Sequence, residues 1–157
     1  MKIPENKTLQ ELFEWRFSRT PDSVAHKFLD RETTYKELNN YSNQVANGLI
    51  ELGCKPDTRI AYYGKNSDFF FEVLIGTLKS NTVTVGVNWR LAPPEVSYVL
   101  NDSESEVLFV GADFYPVIDQ ILEDLPKIKK VVAIDGDHEN YQDYISWRNS
   151  QNSTNAE

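Results

Sequence analysis

The sequence predicts an α/β fold: a mainly parallel sheet with helices on both faces, preceded by a helix and a small β-hairpin. Three observations predict it. From residue 59 onward, strand-length apolar runs alternate with helix-length amphipathic runs, the pattern of a parallel sheet with helical crossovers. The strand runs are short and mostly apolar, as strands buried on both faces must be. Each carries a glycine near its C-terminal end (Gly64, Gly86, Gly111 and Gly136), and in such sheets that edge holds the ligand crevice.

The elements follow in order. Thr8 and Glu11 have the spacing of a capping box, in which hydroxyl and carboxylate satisfy two free backbone donors, so a helix is predicted over about 9–19. Leu9, Leu12, Phe13 and Phe17 form its apolar face, and Thr20-Pro21-Asp22 ends it. Residues 24–29 and 32–34 read as the two strands of the hairpin, with Asp30-Arg31 as the turn. Thr34 and Glu37 form a second capping box. The helix they open carries Tyr35, Leu38, Val45, Leu49 and Leu52 at helical spacing, and Gly53 closes it in a left-handed conformation. Gly48 inside that helix costs about 1 kcal/mol relative to alanine, so a close packing contact is expected there.

A strand is predicted over 59–64, followed by a helix capped at Asn66-Ser67 that is apolar around most of its circumference. The window Leu78–Leu91, LKSNTVTVGVNWRL, then reads as helix end, turn, strand 83–87 and polar loop. Pro93-Pro94 opens the next helix, since a first turn needs no N–H from them. Residues 106–110 form a strand, Asp113 caps a helix ending near Leu125, residues 131–134 form another strand, and a last helix covers about 141–148. Residues 1–148 are expected to form one α/β unit, and residues 149–157 a polar linker.

Composition narrows the function. A net charge of −8 opposes general nucleic-acid binding, which needs clustered Lys and Arg. The longest apolar run, residues 69–75, contains Glu72 and is far too short to span a bilayer. The single cysteine, Cys54, excludes an internal disulfide, and the N-terminal residues contain no apolar run, so a cytoplasmic setting is expected.

No residue set for catalysis emerges. Gly64-Lys65-Asn66-Ser67 sets glycine and lysine before a helix but lacks the second glycine of a phosphate loop. His26 and His138 have no partner at metal-ligand spacing, and Asp135, Asp137 and Glu139 lack the glycine and the final glutamate of a calcium loop, so no metal is expected. Cys54 has Lys55 beside it but no identifiable catalytic histidine. Asn88-Trp89-Arg90 is the strongest candidate, because it follows a strand's C-terminal end. Arg90 there either meets a carboxylate or phosphate, or ties the loop to nearby backbone while Trp89 packs.

Beside this reading stands a resemblance. Thr34-Tyr35-Lys36-Glu37-Leu38 resembles the first core motif of the AMP-forming adenylating enzymes, and the second core motif falls within Leu78–Pro93. Thr20-Pro21-Asp22, Gly48-Leu49, Leu52-Gly53, Asn66-Ser67 and Val107–Val110 also match, from about Thr8 to about Trp147. The chain looks most similar to bacterial fatty acyl-CoA ligases. Asn81 departs from the usual glycine but tolerates the same left-handed turn, and Gly86 stands where many members have proline. The resemblance implies the N-terminal part of the acyl-CoA synthetase fold and a parent reaction in which ATP, Mg and CoA convert a fatty acid or other carboxylic acid to its thioester. It places the phosphate loop, catalytic glutamate and lysine-bearing domain beyond this stretch. No catalytic residue and no bound cofactor are therefore expected here. Two readings follow: a ligase fragment inactive on its own, or a non-enzymatic binding or interaction module derived from such a ligase. Either is expected to dimerise through exposed apolar surface.

Overall fold

The computed structural model describes residues 8–156. Residues 1–7, where the sequence shows no apolar run, lie outside the described part. Helix α1 (Leu9–Arg19) opens on the predicted capping box, with the Glu11 N–H donated to Thr8 Oγ1 at 3.2 Å. A hairpin follows, β1 (Val24–Phe28) and β2 (Arg31–Thr34). Helix α2 (Tyr35–Glu51) opens on the second box, and Gly53 beyond it has φ +82°, as predicted.

The main sheet comprises β3 (Arg59–Tyr63), β4 (Val83–Val87), β5 (Val107–Val110), β6 (Lys130–Ala133) and β7 (Gln142–Asp143). Its order is β4-β3-β5-β6-β7, and every pairing is parallel. Side chains alternate across it, as the period of two in a strand requires. Ile60, Tyr62, Val107, Phe109, Val132 and Ile134 face Val45, Leu49 and Val73 of α2 and α3 (Asp68–Lys79), together with Trp147 of α6 (Tyr144–Asn149). Ala61, Tyr63, Leu108, Val110 and Ala133 face α4 (Pro93–Asp102) and α5 (Tyr115–Ile121). Helix α1 packs on α2 and α3 through Phe17, Leu38 and Ile75.

The fold class is the predicted one, and six local expectations change. The hairpin turn is Leu29-Asp30 instead of Asp30-Arg31: Leu29 leaves the strand at φ +51°, and Arg31 pairs with Phe28 as the first residue of β2. Ser67 is the N-cap of α3, but its hydroxyl meets Tyr62 Oη at 3.1 Å instead of capping the helix. Asp113 lies within a 3-10 turn, Ala112–Phe114, and caps nothing. The helix after it stops at Ile121 and tightens into a second 3-10 turn, Leu122–Asp124. The last helix starts at Tyr144, because residues 142–143 pair with β6 and Asp143 caps the helix through the Ser146 N–H at 2.7 Å. Strand β4 is not buried on both sides: it is the sheet edge, and Val83 keeps 42% of its surface.

The tightest departure from simple patterning is in α3. Its buried positions include Asp68, Glu72 and Lys79, whereas Phe71 is exposed. Glu72 Oε2 accepts from Tyr144 Oη at 2.6 Å and Arg148 Nη1 at 2.7 Å. Lys79 Nζ pairs with Glu14 and donates to Asn39 Oδ1 at 2.9 Å. These partners are far away in the chain, so a period-based reading counts the helix as merely apolar.

Candidate functional site

The chain runs from β3 outward to β4, then returns past β3 to β5 and continues to β6 and β7. This reversal between β3 and β5 is a topological switch point, where the loops leaving the strands diverge and open a crevice. A cavity of about 250 Å³ lies there, at the C-terminal ends of β3, β5 and β6. Gly64 and Gly111 floor it: a Cβ on Gly64 would sit 3.6 Å from Gly111 N. Phe28 and Leu29 from the hairpin, Phe69 from α3, and Phe114 and Ile134 from the far side make its walls mostly apolar.

The hairpin is fastened over the crevice. Arg31 makes a two-point pair with Asp68, Nε to Oδ2 and Nη2 to Oδ1, each at 2.7 Å. The guanidinium also lies over the rings of Phe28 and Phe69. Burial alone would raise the Asp68 carboxyl. The Arg31 hydrogen bonds and charge, with the N–H groups of Phe69 and Asp68 itself, hold it below its ordinary 3.8. Burial pushes the Tyr62 phenol up to about 12, with the Ser67 hydroxyl opposing, so it remains a neutral hydrogen-bonding group.

Lys65 of the Gly64–Ser67 segment reaches the rim and pairs with Asp113 at 2.7 Å. Across from it, Asp135 Oδ1 accepts from Ala112 N at 2.8 Å. Both cations lining the crevice, Arg31 and Lys65, therefore already face carboxylates. The crevice suits a small, largely apolar group.

Arg90 does not line the crevice, although its neighbour Trp89 lies under Lys65 Nζ, 5.8 Å from the ring centroid. The Arg90 guanidinium stacks on Trp89, 4.0 Å from the ring centroid, and the Arg90 N–H donates to Asn88 Oδ1 at 3.0 Å. The loop follows edge strand β4 and does not line the crevice. His138 stacks on Tyr141 and meets Asp119 at 3.2 Å, and His26 stacks on Phe71. Burial pushes the Cys54 thiol up, which opposes thiolate chemistry. Among the described residues, no group of three or more His, Cys, Asp or Glu could hold a metal ion. No described helix is long and apolar enough to cross a membrane.

Sequence reasoning found the glycines and Lys65 but missed the crevice's apolar walls, because Phe28, Phe69 and Phe114 come from three separate elements. The one available signal was the glycine at the end of each strand.

Comparison with known proteins agrees with this architecture. The family model described as AMP-binding enzyme matches residues 13–156. The chain is 39% identical over 118 residues to the fatty acid–(acyl-carrier-protein) ligase ScoC of Streptomyces coeruleorubidus, covering 75% of this chain and 23% of that protein. It is 41% identical over 92 residues to the long-chain-fatty-acid–CoA ligase FadD13 of Mycobacterium tuberculosis, covering 59% of this chain and 18% of that one. Among solved structures, the anthranilate CoA ligase AuaEII in complex with anthranoyl-AMP superposes with a TM-score of 0.90 at 29% identity, over 98% of this chain and 30% of that one. The N-terminal domain of FACL13 from Mycobacterium tuberculosis gives 0.86 at 28% identity, over 96% and 38%. The chain belongs to the AMP-binding enzyme family and corresponds to an N-terminal portion of its members. It spans about a quarter of the length of ScoC.

Proposed function

We propose that this chain is the N-terminal portion of an ATP-dependent, AMP-forming ligase that joins a fatty acid or another carboxylic acid to CoA, and that it does not complete the reaction alone. One observation carries this reading. The family model matches residues 13–156, and the 118 residues aligned with a ligase named for a fatty acid amount to only 23% of that ligase. In the whole ligase, ATP, Mg and CoA belong to the complete active site, and the setting is cytoplasmic. Residues 1–148 serve as a scaffolding subdomain, and residues 149–157 lead toward the remainder. The crevice gives some support to a second reading, a non-enzymatic module that binds a small ligand.

The test is acid-dependent ATP–pyrophosphate exchange. The chain alone is expected to give none with medium- and long-chain fatty acids. A chimera carrying it in place of the matching segment of a fatty acyl-CoA ligase is expected to form thioester. Turnover by the chain alone would overturn the proposal. Stoichiometric heat on titration with acid, CoA or ATP, without turnover, would instead favour the binding module.

A further inference from the structure

We propose that one face of α2 is a docking site for irregular polypeptide backbone, and that its ligand is the chain's own residues 151–154. Three side-chain amides on that face donate only to main-chain carbonyls. Gln44 Nε2 meets Gln151 O at 3.2 Å, and Asn43 Nδ2 meets Ser153 O at 2.8 Å. Asn47 Nδ2 uses both hydrogens, on Asn152 O at 2.8 Å and Thr154 O at 2.9 Å. Four successive carbonyls are thereby captured. Positions 43, 44 and 47 share one helical face, as the i, i+3, i+4 rule requires. Asn43 is only 2% exposed, and its Oδ1 has no partner, so it is held in place for the donor half of its amide.

The same helix grips the residues just before. Trp147 lies on Gly48, and the Arg148 guanidinium stacks 3.9 Å from the Tyr41 ring centroid while pairing with Glu72. Tyr41, Asn43, Gln44, Asn47 and Gly48 thus hold the end of α6 and the strap that follows it, residues 151–154. The carbonyl-directed part reads no side chain of its ligand. Asn152 Oδ1 instead accepts from Thr154 N at 2.9 Å, which shapes the strap locally. The strap fixes the course by which the polypeptide leaves the sheet.

Hydrogen exchange of the backbone amides of Gln151 and Thr154, followed by NMR on the whole chain, tests this. Asn47→Ala removes two of the four bonds from a half-buried helical site that tolerates alanine. It is expected to speed exchange at both amides about tenfold, as loss of two neutral hydrogen bonds implies, while β3 and β5 amides are unchanged. Ser153→Ala and Gln151→Ala keep every carbonyl and are expected to exchange like the parent chain. Because all four bonds are neutral, protection should be the same in low and high salt. Unchanged exchange in Asn47→Ala would overturn the proposal. So would release of the strap by Ser153→Ala or by salt, since either would mean that side chains or charges hold it.

Discussion

Trp147 occupies the space that a side chain at Gly48 would need. A Cβ on Gly48 would lie 2.9 Å from Trp147 Cε2 and 3.0 Å from Cη2, and closer still to Cζ2. The glycine in mid-helix is therefore a contact surface across 99 residues of chain. Gly48→Ala should destabilise the fold by about 1–3 kcal/mol despite alanine's better helix propensity, because overpacking outweighs it. Urea denaturation measures this. A neutral or stabilising result would mean that the ring moves aside freely.

Arg148 and Glu72 form a buried pair, with side chains 7% and 2% exposed. Arg148→Met leaves the Glu72 carboxylate buried with only Tyr144 as partner, at a cost of about 3–5 kcal/mol. Glu72→Met in the same chain should recover much of that loss, because two apolar groups replace the pair. Chemical denaturation of the two single variants and the double variant checks this. Additive losses would show that the two residues do not act as a pair.

Stability should fall on acidification in two stages. Burial pushes the His26 imidazole below its ordinary 6.5, with the Asp68 charge opposing. The unfolded chain then takes up this proton first, and stability declines as pH drops below 6.5. The Asp68 carboxyl is held below 3.8, so its contribution is present above that value and lost as pH falls through the folded value. Asp68→Asn should reduce the second stage, which Glu37, Asp119 and Asp143 share, and deepen the first, because the Asp68 charge no longer opposes the downward shift of His26. Thermal melts from pH 7 to pH 2 decide it, and a variant profile identical to the parent's would refute the assignment.

Arg90→Ala should cost no more than about 1 kcal/mol, the worth of an exposed cation–π contact. In the chimeric ligase, kinetics should be unchanged if Arg90 only packs on Trp89. A fall in kcat/KM with unaltered stability would assign it to a ligand.

Strand β4 offers an edge, VTVGV, with no charge and no proline, the combination that invites strand pairing. The isolated chain is expected to self-associate at high concentration in sedimentation velocity. Val83→Lys places a charge at the edge and should shift the equilibrium toward monomer. A monomeric parent chain at all concentrations would show that the edge is adequately protected.

The local grammar of the sequence determined the scaffold. Thr8, Thr34 and Pro93 start helices, Gly53 ends one, and Asn81 holds φ +54° where a left-handed residue was required. Caps, turns and hydrophobic periods act within a few residues, so they can be read without knowing the fold. Tertiary structure alone decided the rest. It made β4 an edge and turned Glu72 and Lys79 inward onto distant partners. It joined Phe28, Phe69 and Phe114 around one crevice, and it laid residues 151–154 along α2. Each of these depends on which segments meet across the sheet. A buried charge or a captured carbonyl is tolerable only where its partner arrives, and no local signal carries that information.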